Sequence, residues 1–271
     1  MEPGGEGTRV AIDWRAAVST TLAADWTSPW TGVTHAIGAP VSMVTPGRDA
    51  RRRPLTFISP SPEALALDLA FAAAARTRTL RERVVVKPGS EPWNTSLVID
   101  DGDLPALYDY FESCFVVVTF AYQAIEAFAN REIEAARPQV PFEVVRRNLR
   151  ATIPPDQLER GLSLSEKIGL LLPALFGVPT PKGRKPWAGF RALQAERDAI
   201  VHLKVDDAAP RDPMNKQSTF HRFWADGVVL HPANAVALID WFYATREAPR
   251  WLPELRRLAM QDVHGSSTGE R

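Results

Sequence analysis

The sequence predicts a mainly α protein, an antiparallel helical bundle preceded by a smaller α/β segment. Three observations carry this. From Leu104 onward, Leu107, Phe111, Cys114, Val118, Ile125 and Ala129 recur at three-and-four spacing, which makes one apolar stripe on a long helix. Further along, helix punctuation repeats: Ser163 with Glu166 three residues on forms a capping box, and Pro186 suits a first helical turn. The first hundred residues instead carry many prolines and short β-rich runs.

The elements follow in order. Residues 9–26 are read as a helix, and the runs 41–45, 55–59, 83–87 and 96–100 as strands. Between the middle two, Ser61 caps and Pro62 opens an Ala/Leu-rich helix over 62–80, which gives a strand, helix, strand order. The long helix spans 104 to about 136 and stops before Pro138. Residues 142–151 are read as a short basic helix ending before Pro154 and Pro155. The capping box opens a helix through Ile168, Leu171 and Leu172 that Gly177 ends. A Pro/Gly/Lys loop leads into a helix over 187–204, then an irregular stretch over 206–227, a helix over 232–247 and a last turn or two over 253–261. The expected division is therefore an N-terminal α/β segment over 1–100, a bundle over 101–262 and a frayed tail over 263–271.

With 271 residues, 45% hydrophobic and 24% charged, the chain is long and apolar enough for one large core or two modest ones. Lys+Arg and Asp+Glu both number 32, so no global field selects nucleic acid or a membrane, and any anion site must be local. The single cysteine, Cys114, lies in an apolar run, which excludes an intramolecular disulfide framework and a cysteine-based zinc cluster. A reducing compartment fits. The N-terminus lacks a basic stretch followed by an apolar core, and charge interrupts the apolar runs short of about 18 residues, so neither a leader nor a bilayer span is expected.

The chemistry-bearing pattern is Arg197-Asp198-Ala199-Ile200-Val201-His202. An arginine, a polar residue and a histidine five positions after the arginine, on a late helix, resemble the signature of HEPN domains. The resemblance extends from Leu104 to Glu247, taking in Ala124-Ile125-Glu126-Ala127-Phe128 and the Glu166-Lys167-Ile168 helix; the first hundred residues fall outside it. It implies a metal-independent endoribonuclease with RNA as substrate, acting as a toxin or an effector of defence against phage, cytoplasmic, homodimeric, and answering to an antitoxin or activating partner. No cofactor and no metal are implied. The alternative is a non-catalytic HEPN-like bundle that binds a nucleotide or a partner protein.

Read physically, Phe190, Leu193, Ile200 and Val201 span one arc of the helix with Arg197 near its centre. A guanidinium on a core face needs a partner, and Glu126, interrupting the apolar side of the long helix, is the candidate. Asp198 and His202 are four apart, so the carboxylate is placed to orient the imidazole, or is simply a solvated helix residue. Ribonuclease chemistry that uses the substrate's 2′-OH needs one base, one acid and a cation on the phosphorane. His202 suits the base or acid and Arg197 the phosphate contact. Arg197 and His202 do not share a helix face, which suits a site completed by a second copy of the chain. Lys182, Arg184 and Lys185 are either phosphate-steering groups or a solvated loop, and Arg48 with Arg51, Arg52 and Arg53 reads as an exposed turn. The remaining histidines, His35, His221, His231 and His264, show no ligand spacing and are read as mostly loop residues.

Overall fold

The computed structural model describes residues 13–29, 32–88, 97–203, 205, 218–225 and 227–266. The protein is mainly α with small antiparallel sheets, and it divides into two compact units. One comprises residues 1–61 with 249–254; the other comprises 62–248 with 255–271.

The smaller unit is built from hairpins. Strands β1 (Val18–Thr21) and β4 (Pro40–Ser42) enclose the pair β2 (Trp26–Thr27) and β3 (Thr34–His35), and β5 (Val44–Arg48) pairs with β6 (Pro54–Ile58). The helix expected over 9–26 is therefore corrected: its described part forms a turn and two strands, and residues 9–12 lie outside the described set. The run Val18-Ser19-Thr20-Thr21 explains the strand, since three of its four residues are β-branched, a type whose helical rotamers are restricted and which suits a pleated surface. The basic cluster is the β5–β6 turn, where Asp49 accepts from the Arg51 and Arg53 amides at 2.9 Å each and pairs with the Arg53 guanidinium.

In the larger unit, α1 (Pro62–Arg83) lies against α2 (Leu104–Ala136). Its buried face, Ala64, Leu67, Ala70, Phe71 and Ala74, is mostly small and lets the two backbones approach. A buried hydroxyl pair ties them: Thr77 Oγ1 donates to Ser113 Oγ at 2.9 Å, and Ser113 Oγ to the Ala73 carbonyl at 3.0 Å. This is why α1 belongs with the helices, whereas the sequence grouped it with the preceding strands. The runs after it, β7 (Val86–Pro88) and β8 (Leu97–Ile99), pair with each other, so the expected strand, helix, strand order resolves into two separate hairpins. Residue 96 lies outside the described set.

Helix α2 has the bounds its spacing predicts, ending where Arg137 turns left-handed (φ 42) before Pro138. By length and composition it is long and apolar enough to cross a membrane, but half of that apolar window is buried inside the protein, as in a core helix. Its Cys114 thiol is pushed up to about 12, chiefly by burial, which leaves it an unreactive core group.

The basic helix expected over 142–151 is a second correction. Residues Phe142–Arg146 (β9) and Leu149–Ile153 (β10) form a hairpin. Its turn is Arg147-Asn148, both at positive φ (48° and 66°), the geometry that matches hairpin twist. After α3 (Leu158–Gly161) a continuous helical run follows: α4 (Leu164–Glu166), a π-helical stretch (Lys167–Leu171) and α5 (Leu172–Phe176). The Ser163/Glu166 capping box is present, and Gly177 (φ 63) ends the run. Next come α6 (Lys185–Val201), α7 (Thr219–Ala225), α8 (His231–Trp241) and α9 (Leu252–Ser266). Residues 206–217 of the expected irregular stretch lie outside the described set, while 219–225 are helical; α9 runs well past the expected turn or two and includes His264. Phe128, Phe190, Phe223 and Phe242 are fully buried and centre the core.

Candidate functional site

Helix α6 positions the Arg197 and His202 pair. Its first half is anchored by Phe190 and Leu193, both fully buried, but toward its end Val201 is 55% exposed and the helix leaves the core. That changes the setting expected for Arg197, which is one-third exposed rather than on a core face. Its guanidinium lies 4.8 Å from the centroid of the Tyr122 ring on α2 and donates to Asp198 Oδ1 at 2.9 Å. Glu126 is exposed and makes no hydrogen bond or ion pair with Arg197 among the described residues. The partner of Arg197 is its own neighbour, since a guanidinium with one-third of its side chain in solvent can be met by a surface carboxylate.

Asp198 is thereby turned toward Arg197, not toward His202. His202 caps the helix (φ −114, ψ 33), its backbone N–H donating to the Asp198 carbonyl at 3.0 Å. The imidazole is exposed and has no hydrogen bond among the described residues. Five helical residues separate Arg197 from His202 by about 7.5 Å along the axis and about 140° around it. The two side chains therefore start from different faces of α6.

Lys182, Arg184 and Lys185 are exposed at the opposite end of α6, where Lys185 stands about 18 Å from Arg197 at 1.5 Å per residue. Lys182 crosses the π-helical stretch, its Nζ 5.8 Å from the Trp187 centroid; a Cβ on Gly169 would stand 2.4 Å from Lys182 Cε, so glycine is what admits it. This loop and the Arg197 and His202 pair do not form one patch on one chain.

The structure brings together a polar strip that sequence reasoning saw only in part. Tyr122, Glu126 and Asn130 fall four apart along α2. Facing them are Arg197 from α6 and Lys167 from the π-helical stretch, whose Nζ donates to Asn130 Oδ1 at 2.7 Å. Lys167 is almost fully buried; burial holds its pKa below the usual lysine range, opposed by the nearby charges of Glu126 and Glu159. Tyr122 is pushed above the usual phenol range, again chiefly by burial, with Arg197 opposing. Glu126 thus acts electrostatically on Lys167 and Tyr122. The π-helical geometry, which 3.6-residue periodicity does not reveal, turns Lys167 inward.

A buried pair lies next to the motif: Glu196 Oε2 meets His231 Nε2 at 2.6 Å. His231 opens α8 and is 3% exposed, which corrects its reading as a loop residue, and its Nδ1 has no partner among the described residues. The sequence signal was its place before Pro232 at a helix start. His35 lies on β3 and His221 in α7, so these too are not loop residues. Among the described residues, no group of three or more His, Cys, Asp or Glu is placed to hold a metal ion.

No protein-family model matches this chain, no curated protein matches its sequence, and no solved structure matches its fold.

Proposed function

We propose that this chain is a metal-independent endoribonuclease of HEPN-like type, its cleft formed by two copies of the chain. One observation carries the reading: the exposed imidazole of His202 is unengaged among the described residues at the end of α6, while Arg197 on the same helix offers a partly exposed guanidinium whose partner, Asp198, is a solvent-exchangeable surface carboxylate. Exposed Val201, Leu203 and Val205, close to His202 in the chain, offer apolar surface for self-association.

In such a cleft one His202 takes the proton of the ribose 2′-OH as its oxygen attacks phosphorus. The P–O5′ bond breaks, and the other His202 protonates the leaving 5′-oxygen. Arg197 stabilises the negative charge on the phosphorane. The chain's single motif histidine supplies one proton-transfer group, and the reaction needs two, which is the chemical reason for a dimer. A cytoplasmic setting, and a toxin or phage-defence role with an antitoxin or activating partner, go with this reading through the resemblance.

The test is end-group analysis of single-stranded RNA incubated with the protein in EDTA. Fragments ending in a 2′,3′-cyclic phosphate or its 3′-phosphate, beside a 5′-OH, support the proposal. A requirement for Mg²⁺ or equal cutting of DNA contradicts it. The engagement of Arg197 by both Asp198 and Tyr122 also favours a second reading, a non-catalytic binding bundle in which Arg197 is structural; absence of cleavage by folded dimer supports that one.

A further inference from the structure

A cavity of about 730 Å³ lies between the first half of α2, the β7–β8 hairpin and α7, with Leu203, the neighbour of His202, also on its wall. Its size is that of a site for a small organic ligand. Five of its walls are aromatic: Tyr108, Phe111, Phe115, Phe220 and Trp224. Phe111 meets Phe220 edge-on at 5.0 Å and Phe115 lies parallel to Phe220 at 6.3 Å, so these rings brace one another rather than collapsing into the space.

The polar groups decide the chemistry of the ligand. Ser218 Oγ is bonded to His221 Nδ1 at 2.7 Å and accepts from the His221 amide at 3.1 Å, capping α7, so both side chains are partly occupied. Glu112 is the remaining charged group of the described wall; it is exposed and makes no hydrogen bond or ion pair among the described residues. It sits one helical turn from Tyr108 and from Phe115. Among the described residues, no lysine or arginine lines the cavity. An anionic head group would meet a carboxylate and, among the lining residues, no cation. A cationic head group would meet the carboxylate within an aromatic lining. The protein already uses that chemistry at the wall: the Arg81 guanidinium lies 3.1 Å from the Trp224 ring centroid, covering one face of it.

We propose that this cavity binds an organic cation, an ammonium or quaternary ammonium head on an apolar or aromatic body. The inference goes beyond the ribonuclease reading and does not depend on it, since the groups that carry it take no part in the Arg197 and His202 chemistry.

Calorimetric titration of the full chain with three matched probes tests it: phenyltrimethylammonium, its neutral isostere tert-butylbenzene, and phenylacetate. The cation is expected to bind at least about ten-fold tighter than the neutral isostere, and phenylacetate not to bind at millimolar concentration. Glu112→Gln, at an exposed position, is expected to weaken the cation about ten-fold, leave the neutral probe unchanged and leave the melting temperature unchanged. Phe220→Leu is expected to weaken both the cation and the neutral probe. Equal affinity for the cation and its isostere, an unaffected Glu112→Gln protein, tighter binding of phenylacetate, or no heat from the cation at millimolar concentration overturns the proposal.

Discussion

The β9–β10 hairpin is held to the start of α4 by one bidentate pair, and its strength is open to direct measurement. Arg146 Nε and a terminal guanidinium nitrogen donate to the two Glu166 oxygens at 2.7 Å each, and the Ser163 backbone N–H donates to Glu166 Oε2 at 2.8 Å. These bonds, the Arg146 one first, lower the Glu166 carboxyl to about 2 from an ordinary 4.5. Such a shift corresponds at its limit to roughly 3 kcal/mol. Arg146 is 44% exposed, however, and solvent screening reduces the figure to about 1–2 kcal/mol. A folded-state pKa below the unfolded one means the stabilisation is present above about 4.5 and is lost as pH falls toward about 2. A double-mutant cycle of Arg146→Met and Glu166→Gln, read by urea denaturation, is expected to give a coupling of about 1–2 kcal/mol at pH 7 that fades across that window. A coupling below about 0.5 kcal/mol at pH 7, or one that persists unchanged at pH 2, refutes the argument.

Two further substitutions probe buried charge. Glu132 is 6% exposed and accepts from Arg131 at 2.9 Å, Arg246 at 3.1 Å and the Tyr243 hydroxyl at 2.8 Å, so Glu132→Ala is expected to cost about 3–5 kcal/mol in urea denaturation, and Glu132→Gln less. Lys167 donates to the neutral Asn130, and burial lowers its pKa; its charged form therefore weakens folding as pH falls through that lowered value. Lys167→Met is accordingly expected to be neutral or stabilising at pH 7 by thermal melting, and a drop of more than about 2 kcal/mol contradicts the assignment of desolvation as the dominant cause.

Much of the frame was legible because its signals are local. The three-and-four stripe from Leu104 gives α2 its bounds, and the Ser163/Glu166 box and Gly177 open and close the run between them. What escaped depends on tertiary context or on turn chemistry. The Arg147-Asn148 turn between β-branched residues signalled a hairpin, but the basic side chains around it read as helix. Helix α1 was legible as a helix, yet its membership of the helical unit is set by a small-residue face against α2. Around Arg197 and His202, the candidate pair read from spacing, the neighbours were not legible. The partner of Arg197 is Asp198 rather than Glu126, since α6 leaves the core after Leu193, and Lys167 faces inward through a π-helical stretch. Neither fact has a sequence period.

Under the proposed ribonuclease reading, two His202 side chains, one from each copy, share one cleft. The most direct measurement mixes wild-type chain with His202→Ala chain in equal amounts, allows full subunit exchange, and follows cleavage of single-stranded RNA in EDTA. His202→Ala alone should lose a factor of about 10² or more, because a general acid or base is removed. If each cleft needs both histidines, only wild-type dimers cut, and the mixture retains about one quarter of the activity of undiluted wild type, the square of the wild-type fraction. Retention of about one half, the linear value, would show that each chain builds its own site, and a fully active His202→Ala protein would contradict the ribonuclease assignment itself.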